Sequence, residues 1–150
     1  MSYFNGMNVS ASGMSAQRLR MDIISQNIAN VETTRDENGN PYRRKTVVFS
    51  EREADSFGTV LAQTAAGKAS DKQGNGVKVT AIVEDHVTAM KSVYNPSHPD
   101  ADQDGYVTMP NVNTVTEMTN LISATRSYEA NVTAFNATKN MLLKGLEVGK

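Results

Sequence analysis

From Met118 onward, large apolar residues recur at alternating steps of three and four: Met118, Leu121, Tyr128, Val132, Phe135, Leu142 and Leu146, with Thr125 and Lys139 in the gaps. A 3.5-residue repeat keeps one narrow stripe of a helix facing a partner, so the pattern predicts a helix within 111–150 wound against other helices. At 1.5 Å per residue it is roughly 50 Å long, more than a compact domain of this size needs internally. Pro110 bars an earlier start, Thr114-Val115-Thr116-Glu117 has the form of a capping box, and Gly149 offers a stop. The flanks are rich in Asn, Thr and Ser and poor in Lys and Glu. Such a helix is weak alone, gains order by packing, and leaves room for close neighbours on several sides.

A second stripe runs through Met7, Met14, Met21, Ile24, Ile28 and Val31, with Ser10 and Gln17 in its gaps. Ser10-Ala11-Ser12-Gly13 favours non-helical states, which predicts firm helix from near Met14 with fraying before it. The run from Asp36 to Pro41, with its Asn38-Gly39 turn signal, ends the helix. Between the stripes the period changes to two. Tyr42–Phe49 ends in a β-like run, and Val77–Val83 alternates with Val77, Val79, Ala81 and Val83 on one face. Met90–Tyr94 and Tyr106–Met109 are further extended pieces. The polar stretch 50–76 predicts a flexible loop with one short helical turn at Phe57, Val60 and Leu61. The predicted class is therefore α+β, two long terminal helices packed as a coiled coil with a small β-rich insert, divided at 1–34, 35–110 and 111–150.

Composition narrows the function. Of 150 residues 39% are hydrophobic, the net charge is −1, and there is neither Cys nor Trp. Near-neutral charge gives no footing for nucleic acid. Without Cys there is no disulfide or thiolate chemistry. Met1–Met14 holds no Lys, Arg or apolar run, which predicts no cleaved secretory signal; no window suits a membrane span. Asp100-Ala101-Asp102-Gln103-Asp104-Gly105 opens like a calcium loop, but the twelfth position is Asn111 and prolines at 96, 99 and 110 bar the flanking helices. His86 and His98 stand apart from any catalytic spacing, and Arg43-Arg44-Lys45 reads as a solvated strand edge. No catalytic residue, cofactor site or metal site is predicted. A calcium-binding module and a compact helical adaptor are the alternatives to an assembling helix pair.

Ser25-Gln26-Asn27-Ile28-Ala29-Asn30-Val31-Glu32-Thr33 resembles the N-terminal signature of the flagellar rod and hook axial proteins, with Asn27, Ala29, Asn30 and Thr33 its most telling positions. Pro41–Lys45, Asn95–Asp102, Asp104–Val107, Pro110–Asn113 and Ala124–Asn131 resemble the proximal-rod members of that family, in the same order end to end. The resemblance implies a structural subunit of the bacterial flagellar basal-body rod, exported unfolded by the flagellar type III apparatus. It also implies terminal helices in an inner layer and the insert outside. Its partners would be copies of itself, other rod proteins, the base ring of the motor and distal rod neighbours. The stripe residues Met14, Met21, Ile24, Ile28, Val31, Met118, Leu121, Tyr128, Val132, Phe135, Leu142 and Leu146 are then the expected assembly surface.

Overall fold

The computed structural model describes residues 3–36, 39–52, 61 and 75–148. In chain order the elements are α1 (Tyr3–Ala29), β1 (Lys45–Glu51), β2 (Val77–Glu84), β3 (Lys91–Tyr94), β4 (Tyr106–Met109) and α2 (Thr114–Val148). The two helices pack on each other, β1 pairs with β2 and β3 with β4, both antiparallel. This is the α+β arrangement the sequence predicts. Among the described residues no helix is long and apolar enough to cross a membrane.

Helix α1 begins at Tyr3, not near Met14. Its small residues are in place because α2 lies against them: Ser10 and Gly13 are buried, and a Cβ at Gly6 would touch Thr138 at 3.9 Å. Ser10 and Ser15 donate their hydroxyls to the carbonyls of Gly6 and Ala11, four residues back. Tertiary contact overrides a poor local propensity here. Helix α2 starts at Thr114, the residue expected as its cap; the cap is instead Asn113, whose Oδ1 accepts from the backbone N–H of Val115 and Thr116 at 3.0 and 3.2 Å. Glu117 does not reach back; it is turned inward. The proposed stop at Gly149 lies outside the described residues.

β1 and β2 pair from Lys45↔Glu84 to Glu51↔Val77, with a bulge after Val48↔Ala81. The bulge shifts parity along β2. Ile82 therefore sits opposite Val47, and the expected face of Val77, Val79, Ala81 and Val83 breaks: Val77 and Val79 are half-buried, Ala81 and Val83 exposed. β2 is pinned to α1 at its first residue, where Val77 N–H donates to Ser12 Oγ at 3.1 Å. The preceding Gly76 has φ +101°, and a side chain there would collide with Ser12 Oγ, so only glycine serves. β1 extends to Glu51, shortening the loop predicted over 50–76. Leu61 is helical, whereas Phe57, Val60 and nearly all of that loop lie outside the described residues, as does Asn38 of the turn signal.

The turn between β2 and β3 is organised by Asp85, whose carboxylate accepts from the N–H of Val87 and Thr88 and from the Thr88 hydroxyl. The Thr88 backbone bond first, then its hydroxyl, with smaller help from Val87 and the Arg44 charge, holds the Asp85 carboxyl below its ordinary value. A depressed carboxyl stabilises the fold above its unfolded pKa, and that contribution is lost as pH falls through the folded value. The thermal midpoint should accordingly fall below about pH 4, and fall less in Asp85→Asn; equal acid sensitivity in the two proteins would remove Asp85 as a cause.

Candidate functional site

The helix pair is antiparallel, and three contacts fix its alignment. Asn27 meets Glu117, a Cβ on Gly13 would meet Asn131, and one on Gly6 would meet Thr138. On each helix these positions are seven or fourteen residues apart. The row at the centre of the interface is thus Gly6, Gly13 and Asn27 against Glu117, Asn131 and Thr138, with Ala16, Ile23, Ile24 and Ala124 buried beside it. It is a seam of small and polar groups that lets the backbones approach closely.

The stripe predicted from hydrophobicity lies on either side of that centre. Ile24 is buried; Met14, Met21, Ile28 and Val31 on α1 and Leu121, Tyr128, Val132, Phe135 and Leu142 on α2 are half-buried. Met118 and Leu146 are 55% and 71% exposed. The Thr125 hydroxyl, which donates to Leu121 O at 2.9 Å, lies 3.5 Å from Met21 Sδ. By the seven-residue interval, Met7, Met14, Met21 and Ile28 therefore run alongside Lys139, Val132, Thr125 and Met118. Ser12, on the other flank of α1, carries β2. The β1–β2 hairpin packs along that flank of α1. On the opposite side, among the described residues, the methionine-lined groove is uncovered, continued by Ile122 and Val115. Beyond Met141, α2 overhangs the start of α1 by about seven residues, ~10 Å, with Met141, Leu143 and Leu146 exposed.

At the other end of the pair sits a polar node. Asn27 has no exposed surface and Glu117 has 1%. Asn27 Nδ2 donates to Lys45 O at 2.8 Å and Glu117 Oε2 at 3.0 Å; its Oδ1 accepts from Tyr42 Oη and Lys45 N–H, each at 2.9 Å. Both donors and both acceptor sites of the amide are used. Arg44 grips Glu117 Oε1 through Nε at 2.9 Å and Nη2 at 2.8 Å, and its backbone N–H donates to Asn111 Oδ1. Asn111 donates onward to Asp85 O and Thr88 O. Burial first, then the charges of Glu84 and Glu117, raise the Tyr42 phenol above its ordinary pKa, so at neutral pH it stays a donor. Arg44 is thus no solvated strand edge. Its role was invisible because its partner lies 73 positions away.

The remaining signature residues shape the exit from α1. Asn30 donates to Gln26 O and accepts from the Thr33 hydroxyl, Thr33 O accepts from Tyr42 N–H, and Ala29 is exposed. Asp100, from the calcium-like loop, is engaged by the Thr34 hydroxyl at 2.8 Å and by Arg35. His98 Nδ1 accepts from Asp100 N–H and His86 points to solvent beside Glu84. A cavity of about 260 Å³ between α1, β1 and α2 is floored by Ile23, Ile24, Val47 and Phe49 and rimmed by Arg20, Arg44 and Glu117.

Residues 7–35 match the family described as Flagella basal body rod protein, and residues 103–148 match Flagellar basal body rod FlgEFG protein C-terminal. Over 154 residues and the whole of both chains, the sequence is 51% identical to flagellar basal-body rod protein FlgC of Bacillus subtilis (strain 168). It is 42% identical to FlgC of Borreliella burgdorferi, covering 99% of this chain and 98% of the other. To FlgC of Salmonella typhimurium it is 38% identical over the whole of both chains.

Proposed function

The chain belongs to the FlgC family of flagellar basal-body rod proteins, and on that premise we propose that it is held in the rod through the uncovered groove of its helix pair. It is a structural, non-enzymatic subunit of the flagellar basal-body rod and associates with other rod proteins. The neighbours that fill the groove are helices of further copies and of other rod proteins. The base ring of the motor lies on one side and the distal rod on the other. The helices form the inner layer and the 35–110 segment faces outward. Such a rod spans the periplasm, and its subunits reach it unfolded through the type III export apparatus without a cleaved signal.

The observation that carries this reading is the groove itself. Met14, Met21, Ile28, Met118 and Val132 line it at helical spacing, and Met side chains adapt to more than one neighbour. Many packed contacts of ~0.1–0.2 kcal/mol each resist shear together, which is what passing torque between subunits requires. Met118 and Ile122 are 55% and 57% exposed, so replacing both by Asp removes little from the isolated fold. The double variant should be made and exported at normal levels, yet be absent from isolated basal bodies and leave cells non-motile. Normal motility would remove the groove from the interface, and a degraded chain would return the compact-adaptor reading.

A further inference from the structure

The seam between the helices offers two alignments. In the observed one, Gly13 makes room for Asn131 and the seven-residue interval places Arg20 opposite Ala124. Sliding α1 by one heptad, about 10 Å, brings Arg20 to Glu117, Gly13 to Ala124 and Gly6 to Asn131. Apart from Arg20 against Glu117, the central row in that alignment sets only glycines against Ala124 and Asn131. Glycine again faces Asn131, and a new ion pair forms at Glu117. Arg20 already lines the same cavity as Glu117 and has no hydrogen-bond or ion-pair partner among the described residues. Small residues and a heptad-wide apolar stripe cannot by themselves tell these alignments apart.

We infer that the node of Asn27, Arg44 and Glu117 is a register lock that selects one of two alignments of the terminal helices. Arg44 reaches in from the strand segment and occupies Glu117 with a forked contact, denying that carboxylate to Arg20. Asn27 bonds at once to Glu117 and to both backbone groups of Lys45. The partners of Glu117 in α1 and in the residue just before β1 lie 90 and 73 positions from it, so α1, the start of the hairpin and α2 can be satisfied together only when α1 ends level with the start of α2. Buried polar groups that fix register in helical pairs act by this logic. The lock is a property of the folded chain; it rests on the assembly reading only for the use made of the register, which sets the groove and the overhang a neighbour meets.

Because the chain has no Cys, engineered pairs report register without competing thiols. Gly6→Cys with Thr138→Cys reports the observed alignment, since a Cβ at position 6 lies 3.9 Å from the Thr138 side chain. Gly6→Cys with Asn131→Cys reports the slipped one. The full-length chain is oxidised in a stabilising osmolyte, with helix content followed by circular dichroism. With the node intact, the 6–138 link should exceed 6–131 by at least about tenfold. In Asn27→Leu/Arg44→Met, which frees Glu117 for Arg20, the two links should become comparable, and adding Arg20→Met should restore the original ratio. An unchanged ratio in the double variant, or no effect of Arg20→Met, overturns the lock. If the double variant loses its helix content, Asn27→Ser decides: a raised 6–131 fraction supports the lock and an unchanged one refutes it. Motility of the Met118/Ile122 variant is unaffected by either result, so the two proposals fail separately.

Discussion

Asn27→Asp, which exchanges one NH2 for an oxygen, should cost about 3–5 kcal/mol of stability, the range for breaking a buried charged network. The new carboxylate would replace a donor that now lies 3.0 Å from Glu117 Oε2, with both residues shut off from solvent. Two carboxylates at that distance cannot both ionise, so one retains a proton and titrates well above its ordinary range. The sign follows: a raised folded pKa lends stability below it and loses that stability as pH rises through it. The variant should therefore be least stable near neutrality and partly recover toward pH 5, opposite to the acid loss expected from Asp85. Thermal midpoints across pH 4.5–8 decide it, with a deficit at pH 7 of roughly 10 °C. A variant within a degree or two of the parent, flat with pH, would mean that Asn27 and Glu117 do not share a closed site.

Gly13→Leu should cost about 3 kcal/mol by prising the helices apart at mid-seam. A Cβ at Gly13 would lie 2.8 Å from Asn131 Oδ1 and 2.9 Å from both its Cγ and Nδ2. The Asn131 amide cannot turn aside freely, since its Nδ2 donates to Ser127 O at 2.8 Å. Gly13→Ala sets two effects against each other. Removing a helical glycine gains about 1 kcal/mol, while the collision with Asn131 costs more, so the single variant should be destabilised. With Asn131→Ala beside it the collision disappears, and the double variant should melt above Asn131→Ala alone. Additive midpoints around that cycle would show that position 13 and position 131 do not touch.

How much of this was legible along the chain follows from the range of the interactions. The two helices were visible because apolar side chains at steps of three and four can share a face in no other regular structure. Tyr106–Met109 and Val77–Val83 were visible for the same reason at a step of two. The signature Ser25–Thr33 was readable as a resemblance, but not the duty of Asn27 within it. The row that meets the partner helix consists of Gly6, Gly13 and Asn27 against Glu117, Asn131 and Thr138, none of them apolar enough to stand out on a hydrophobic count. Large apolar residues marked the flanks of the interface because close backbone approach leaves no space for them at its centre. The bulge after Val48 was equally hidden, since parity along a strand depends on the strand beside it.

Periodicity alone thus determined that there are two helices, roughly how long α2 is, and that an apolar face on them seeks company, while the start of α1 at Tyr3 depended on α2 packing against its small residues. It could not determine which heptad row turns inward, because that choice is made by volumes and hydrogen bonds on another segment. Only the folded chain brought Glu117 to Asn27 and Arg44 across 90 and 73 positions, where desolvation makes an unpaired carboxylate too costly to leave. That pairing set the alignment of the helices, and the inward turn of the Gly6, Gly13 and Asn27 row, with the hairpin held on the Ser12 flank, left the methionine stripe of α1 on the open side.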